Sequence, residues 1–140
     1  MINISKIADL FTENVMKILE ELDNIPDIQN AFRGRGIGKS QLDILLRAVR
    51  KANCIEEIKL FIKYQSAKAS NGNSWNTLVG QNKISDVIIE KINQLIGLVS
   101  NEVIERENLT TDDVRILKLK LSEKFFGYLY WKGTVYSKEG

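Results

Sequence analysis

Apolar residues recur along this chain at intervals of three and four, the spacing that stacks side chains on one face of an α-helix. Residues 4–22 place Ile4, Ile7, Leu10, Phe11, Val15, Ile18, Leu19 and Leu22 in that register. The helix they predict should stop near Asn24, ahead of Pro26, because a residue before proline resists the α conformation. A short helix over Asp27–Arg33 is expected next, then the loop Arg33-Gly34-Arg35-Gly36-Ile37-Gly38 with its alternating glycines. Ser40 leads a helix with Leu42, Leu45, Leu46, Val49 and Ala52 on one stripe, and Asp43, Arg47, Arg50 and Lys51 outside it. Asn53 and Glu56 stand at capping-box spacing ahead of another stripe, Ile55, Ile58, Phe61, Ile62 and Ala69. Lys59 and Lys63 lie one turn apart on the outside of that helix.

Residues 85–107 give the longest apolar pattern, hydrophobic on more than one face, and are expected to form the central helix. Thr110 and Asp113 make a strong helix start, and Val114, Leu117, Leu121, Phe125 and Leu129 continue in register. No alternating run bounded by turns predicts a strand. The expectation is an all-α bundle of five or six helices in one domain, residues 1–140. The most apolar stretch, Ile84–Ile104, is broken by Asp86, Glu90, Lys91 and Glu102, which marks a core helix and not a membrane span.

Composition narrows the chemistry. Histidine is absent and Cys54 is the single cysteine. An internal disulfide, a thiolate or imidazole zinc site and His-dependent nucleophilic catalysis are therefore ruled out. Residues Met1–Ser5 lack a basic start followed by an apolar run, so no leader is expected, and a reducing, cytoplasmic setting fits best. The chain is read as a binding protein without a cofactor, not as an enzyme.

Charge is distributed unevenly. Between Arg33 and Lys68 stand nine basic residues, Arg33, Arg35, Lys39, Arg47, Arg50, Lys51, Lys59, Lys63 and Lys68, against Asp43, Glu56 and Glu57. Residues 1–32 carry −4 and residues 69–140 sum to zero. Local potential, more than net charge, attracts phosphate, so the basic stretch is a candidate nucleic-acid surface. A solvated helical surface explains the same residues. Arg47 with Lys51, and Lys59 with Lys63, are the pairs most firmly on one face.

Three motifs bear on function. Gly34–Ser40 ends in Gly-Lys-Ser like a phosphate-cradling P-loop, but Arg33 holds the position of the first required glycine and no buried strand precedes it. The same Gly36-Ile37-Gly38 resembles the hairpin of helix-hairpin-helix domains, which grip a DNA backbone; a purely structural turn accounts for it equally well. The carboxylate pairs Glu56/Glu57 and Asp112/Asp113 sit in first helical turns, where capping explains them better than acid–base chemistry or Mg²⁺. The aromatic run Phe125–Gly133 is expected to serve core or interface more than base stacking.

Ser40-Gln41-Leu42, the basic helix after it, and a second helix ending Phe61-Ile62-Lys63-Tyr64-Gln65-Ser66-Ala67-Lys68 resemble the small helical subunit of type III CRISPR effector complexes. Phe126-Gly127-Tyr128-Leu129-Tyr130-Trp131-Lys132-Gly133 is similar to that family's C-terminal pattern. Asp43 departs from it, standing where the family carries a basic residue. The resemblance implies a non-catalytic, RNA-binding subunit of an antiviral ribonucleoprotein complex. Such subunits stack head-to-tail and line a groove for guide (crRNA) or target RNA, contacting backbone while base pairing supplies specificity. The acidic residues 1–32 and the basic residues 33–68 could meet between neighbouring copies. A stand-alone helix-hairpin-helix DNA-binding protein and a helical adaptor between proteins are the alternatives.

Overall fold

The computed structural model describes residues 2–138. Seven α-helices occur among them: α1 (Ile4–Leu10), α2 (Thr12–Glu20), α3 (Lys39–Lys51), α4 (Ile55–Lys68), α5 (Ile84–Gly97), α6 (Asn101–Arg106) and α7 (Thr111–Lys138). Two strands, β1 (Leu78–Val79) and β2 (Asn82–Lys83), pair antiparallel as a small hairpin. The fold is thus mostly helical, with seven helices in place of the five or six expected and a hairpin where no strand was expected.

Two breaks that leave the apolar register intact each add a helix, while the short helix expected over Asp27–Arg33 is a 3-10 turn over Ile28–Phe32. At Phe11 the backbone turns to ψ 6°, its N–H bonds the Ala8 carbonyl, and the Thr12 hydroxyl takes the Asp9 carbonyl. Residues 4–22 therefore form two helices and a 3-10 turn over Glu21–Asn24. Residues 85–107 are broken in the same manner: Ser100 accepts the Val103 N–H through its side chain and starts α6 as an N-cap. The hairpin turns on Gly80, at φ 64°, a conformation that the first central residue of a two-residue hairpin loop needs.

The centre of the fold is α7, not the 85–107 segment. It packs against α1, α2, α3, α4, α5 and the 3-10 turn Ile28–Phe32, burying Leu117, Leu121, Phe125, Phe126, Leu129 and Tyr136. Its partner of greatest contact is α3, through Leu42, Leu45, Leu46 and Val49. Gly133 permits the approach, since a Cβ there would lie 2.6 Å from Leu42 Cδ1 and 3.2 Å from Phe32 Cδ1. Phe32 also stacks on Tyr136, with ring centres 5.4 Å apart.

The polar residues at chain turns close the frame. Asn76 is buried and donates to the carbonyls of Ser66 and Ala69 at 2.9 and 3.1 Å, satisfying the end of α4, while Ser66 Oγ donates to its Oδ1. Trp75 beside it is buried, which anchors the Ser70–Ser74 loop at its far end. Lys91 of α5, also buried, reaches Glu21 at 2.8 Å.

Candidate nucleic-acid interface

The loop before α3 is shaped by contacts within the chain. Ile37 is buried, and its N–H bonds the Ala31 carbonyl at 2.6 Å. Gly36 lies directly on Ala31, so any Cβ there would collide with the Ala31 carbonyl. That close approach explains this glycine without a phosphate. A 3-10 turn, not a strand, precedes the loop, so the setting of a P-loop is missing. The Arg35 carbonyl receives the Ser74 N–H at 2.7 Å, while Gln41 Oε1 accepts from Gly38 N–H and Ser74 Oγ. These bonds draw the loop to the flank of α3 that faces the Ser74–Asn76 turn.

On the opposite flank α3 meets α7. Lys39, the first residue of α3, sets its ammonium 5.9 Å from the Tyr130 ring centre. Arg50, near the other end, lies 3.9 Å from Glu123, both about half exposed. Arg47 pairs with Asp43 at 2.8 Å on the exposed surface, the i,i+4 contact expected from spacing. Lys51 projects to solvent from the last turn.

The cations of α4 divide between two flanks. Lys59 donates to Asn93 of α5, and exposed Lys63 follows one turn later. Lys68 lies about two and a half turns beyond Lys59, on the other side of the helix, with its ammonium 4.7 Å from the Tyr64 ring. The nine basic residues consequently do not form one track. Lys39 and Arg50 border α7, Arg47 and Lys51 face outward, Lys59 reaches α5 with exposed Lys63 one turn on, and Lys68 stands apart. Arg35 is exposed and Arg33 partly buried in the loop.

The carboxylate pairs hold helix starts and internal ion pairs. Asp113 accepts from Thr110 N–H at 2.9 Å and donates its own N–H to Thr110 Oγ1 at 3.1 Å, a complete capping box. Asp112 binds Arg115. Glu57, not Glu56, closes the reciprocal bond at α4 by accepting from Asn53 N–H, and Cys54 takes the N-cap position. The N-terminal acids are also engaged within the molecule: Asp9 with Lys124 at 2.8 Å, Glu21 with Lys91, and Asp23 with Lys132 at 3.0 Å. Burial pushes the Asp23 carboxyl up, but the Tyr136 hydroxyl and Lys132 outweigh it and hold the group below its ordinary value.

The aromatic run splits by helix face. Phe125, Phe126 and Leu129 are in the core, whereas Trp131 is 68% exposed. Trp131, Tyr128 and Tyr130 border a cleft of about 340 Å³ between α1, α3 and α7, with Arg50, Lys120 and Lys124 also on its walls. Lys120 and Lys124 were not selected by charge runs, because they belong to the electrically neutral C-terminal half. Their i,i+4 spacing, off the stripe of Leu121 and Phe125, is the sequence trace they left.

Compared with protein-family models, curated proteins and solved structures, the chain matches none.

Proposed function

We propose that the protein is a non-catalytic, nucleic-acid-associated subunit that holds a sugar–phosphate backbone against α3 without reading sequence. The observation that carries this is the set of α3 cations, Lys39, Arg47, Arg50 and Lys51, spread over its α7-facing and solvent faces. Arg47 and Arg50 are engaged by exposed carboxylates, and exposed ion pairs contribute so little that phosphate can replace them. Exposed Arg35 stands in the loop ahead of this surface, whereas Lys59 and Lys63 of α4, and Lys68 on the other side of that helix, lie outside it.

With the Ser40-Gln41-Leu42 and Phe61–Lys68 patterns, this supports a small subunit of a type III CRISPR effector acting in antiviral defence. The ligand is then the backbone of guide or target RNA, with specificity left to base pairing. Ile44, Leu60 and Tyr64, all at least half exposed on α3 and α4, provide apolar surface for neighbouring subunits. A head-to-tail contact with another copy would set them against exposed Leu10 and Met16 of α1 and α2, where Glu13 and Glu20 remain at the surface.

Filter binding of the full chain to single-stranded and duplex RNA tests the reading. Arg47→Glu with Lys51→Glu should weaken both ligands alike, whatever the sequence. Unchanged binding by the folded double variant removes α3 from the interface, and no retention at low salt by the wild type points to a protein adaptor.

A further inference from the structure

Gly127 and Gly133 occupy the same helix and have opposite reasons to be there. Gly133 lets α3 and the Phe32 turn close onto α7. Gly127 has no such reason: a Cβ there would meet no atom within 4 Å, and the residue lies at the cleft between α1, α3 and α7. A glycine inside a helix costs about 0.5–1 kcal/mol relative to alanine, and packing within the chain does not explain it here. What Gly127 leaves is open space.

The surroundings of that space identify what fills it. Trp131 stands one turn away, the most exposed aromatic ring of the described residues, with Tyr128 against it at a ring separation of 6.0 Å. Lys120, partly buried on the same wall, has no ion-pair partner among the described residues. The two carboxylates of the cleft, Asp9 and Glu123, are already matched by Lys124 and Arg50. Tyr130 on the cleft wall has the Lys39 ammonium 5.9 Å from its ring centre, and Lys39 borders a separate depression of about 190 Å³ floored by Phe32, Leu42 and Gly133. From Lys120 to Gly133 the helix rises about 20 Å at 1.5 Å per residue. An aromatic platform, a vacant floor and cations on and beside the cleft wall are the parts of a single-strand site, since every base has a face to stack and every nucleotide a phosphate.

We propose that this cleft seats single-stranded nucleic acid, a base lying on Trp131 over Gly127 with phosphates held by Lys120 and, beyond Tyr130, by Lys39. The proposal rests on the nucleic-acid reading above and adds to it a base-stacking subsite and a preference for unpaired strands. A duplex keeps its bases stacked inside and cannot offer one to Trp131. It would still meet the outward cations of α3.

The test compares three ligands, single-stranded oligouridine, duplex RNA and inorganic polyphosphate, by fluorescence anisotropy competition against the full chain. Trp131→Ala removes the platform and Gly127→Leu fills the floor, with circular dichroism confirming the fold of each. Both variants should weaken oligouridine about tenfold and leave duplex and polyphosphate binding unchanged. Wild-type oligouridine affinity in both variants, or an equal loss on all three ligands, overturns the cleft site. A poly-glutamate peptide competing as well as oligouridine also overturns it, in favour of an acidic protein segment. In each of those cases loss of binding in Arg47→Glu with Lys51→Glu leaves the broader reading standing; a wild type that binds none of the nucleic acids removes both.

Discussion

The ammonium of Lys39 and the ring of Tyr130, 5.9 Å apart, join the first residue of α3 to the aromatic run of α7. At the other end of α3, Arg50 meets Glu123, so the two helices run antiparallel with a cation at each end of their seam. Residues of the basic stretch and of the aromatic segment, distant in sequence, thereby meet along the α3–α7 seam.

Two glycines should respond in opposite directions to alanine. Gly127→Ala adds a methyl group to open space and improves helix propensity, so stability should rise by about 0.5–1 kcal/mol. Gly36→Ala drives a Cβ into the Ala31 carbonyl and should lower stability by about 2 kcal/mol or more. Urea denaturation of both variants checks the pair, and a neutral Gly36→Ala would contradict the close approach.

Lys91 and Glu21 should be unequal partners. Lys91 is buried and Glu21 half exposed, so Glu21→Gln leaves an ammonium without its counter-charge in a low-dielectric site. A loss of about 1–3 kcal/mol is expected, smaller than for a fully buried pair. Lys91→Met replaces the charge with apolar volume and should stay within about 1 kcal/mol of wild type. Thermal melts of both variants decide this.

Asp23 should contribute to the acid limb of stability. Its folded-state value lies below the ordinary 3.8, so its contribution is present above that pH and is lost as pH falls through the lower folded value. Asp23→Asn should therefore flatten the fall in stability below about pH 4. Tyr136→Phe, which removes the hydroxyl donated to Asp23, should flatten it in part. Identical acid unfolding of wild type and Asp23→Asn would contradict the assignment.

Local patterns were legible where one residue's chemistry decides the outcome. The Thr110–Asp113 box, the Asp43–Arg47 pair and the apolar stripes of α3 and α4 all follow from spacing. The breaks at Phe11 and Ser100 were hidden because the apolar register continues across them, although Ser100 is a favoured N-cap residue. The hairpin has two residues per strand, too short for alternation to register, and only Gly80 marked it. The central position fell to α7 because it continues unbroken to Lys138 and touches most other helices, whereas the apolar pattern of 85–107 is broken at Ser100. For the candidate site, sequence located the cations but not their directions: Lys59 and Lys68 share a helix and face opposite sides. Lys120 and Lys124 lie in a C-terminal half that sums to zero only over its whole length, since residues 115–124 carry four basic residues against Glu123 alone; that local excess was the signal, and the cleft wall is where it acts.

Salt titration of RNA binding decides whether α3 holds a sugar–phosphate backbone. If α3 and its loop neutralise about four phosphates of a single strand, log K should fall against log salt with a slope of about −3, and by roughly two phosphates less after Arg47→Glu with Lys51→Glu. A slope near zero, or one unaltered by that double reversal, would contradict the account.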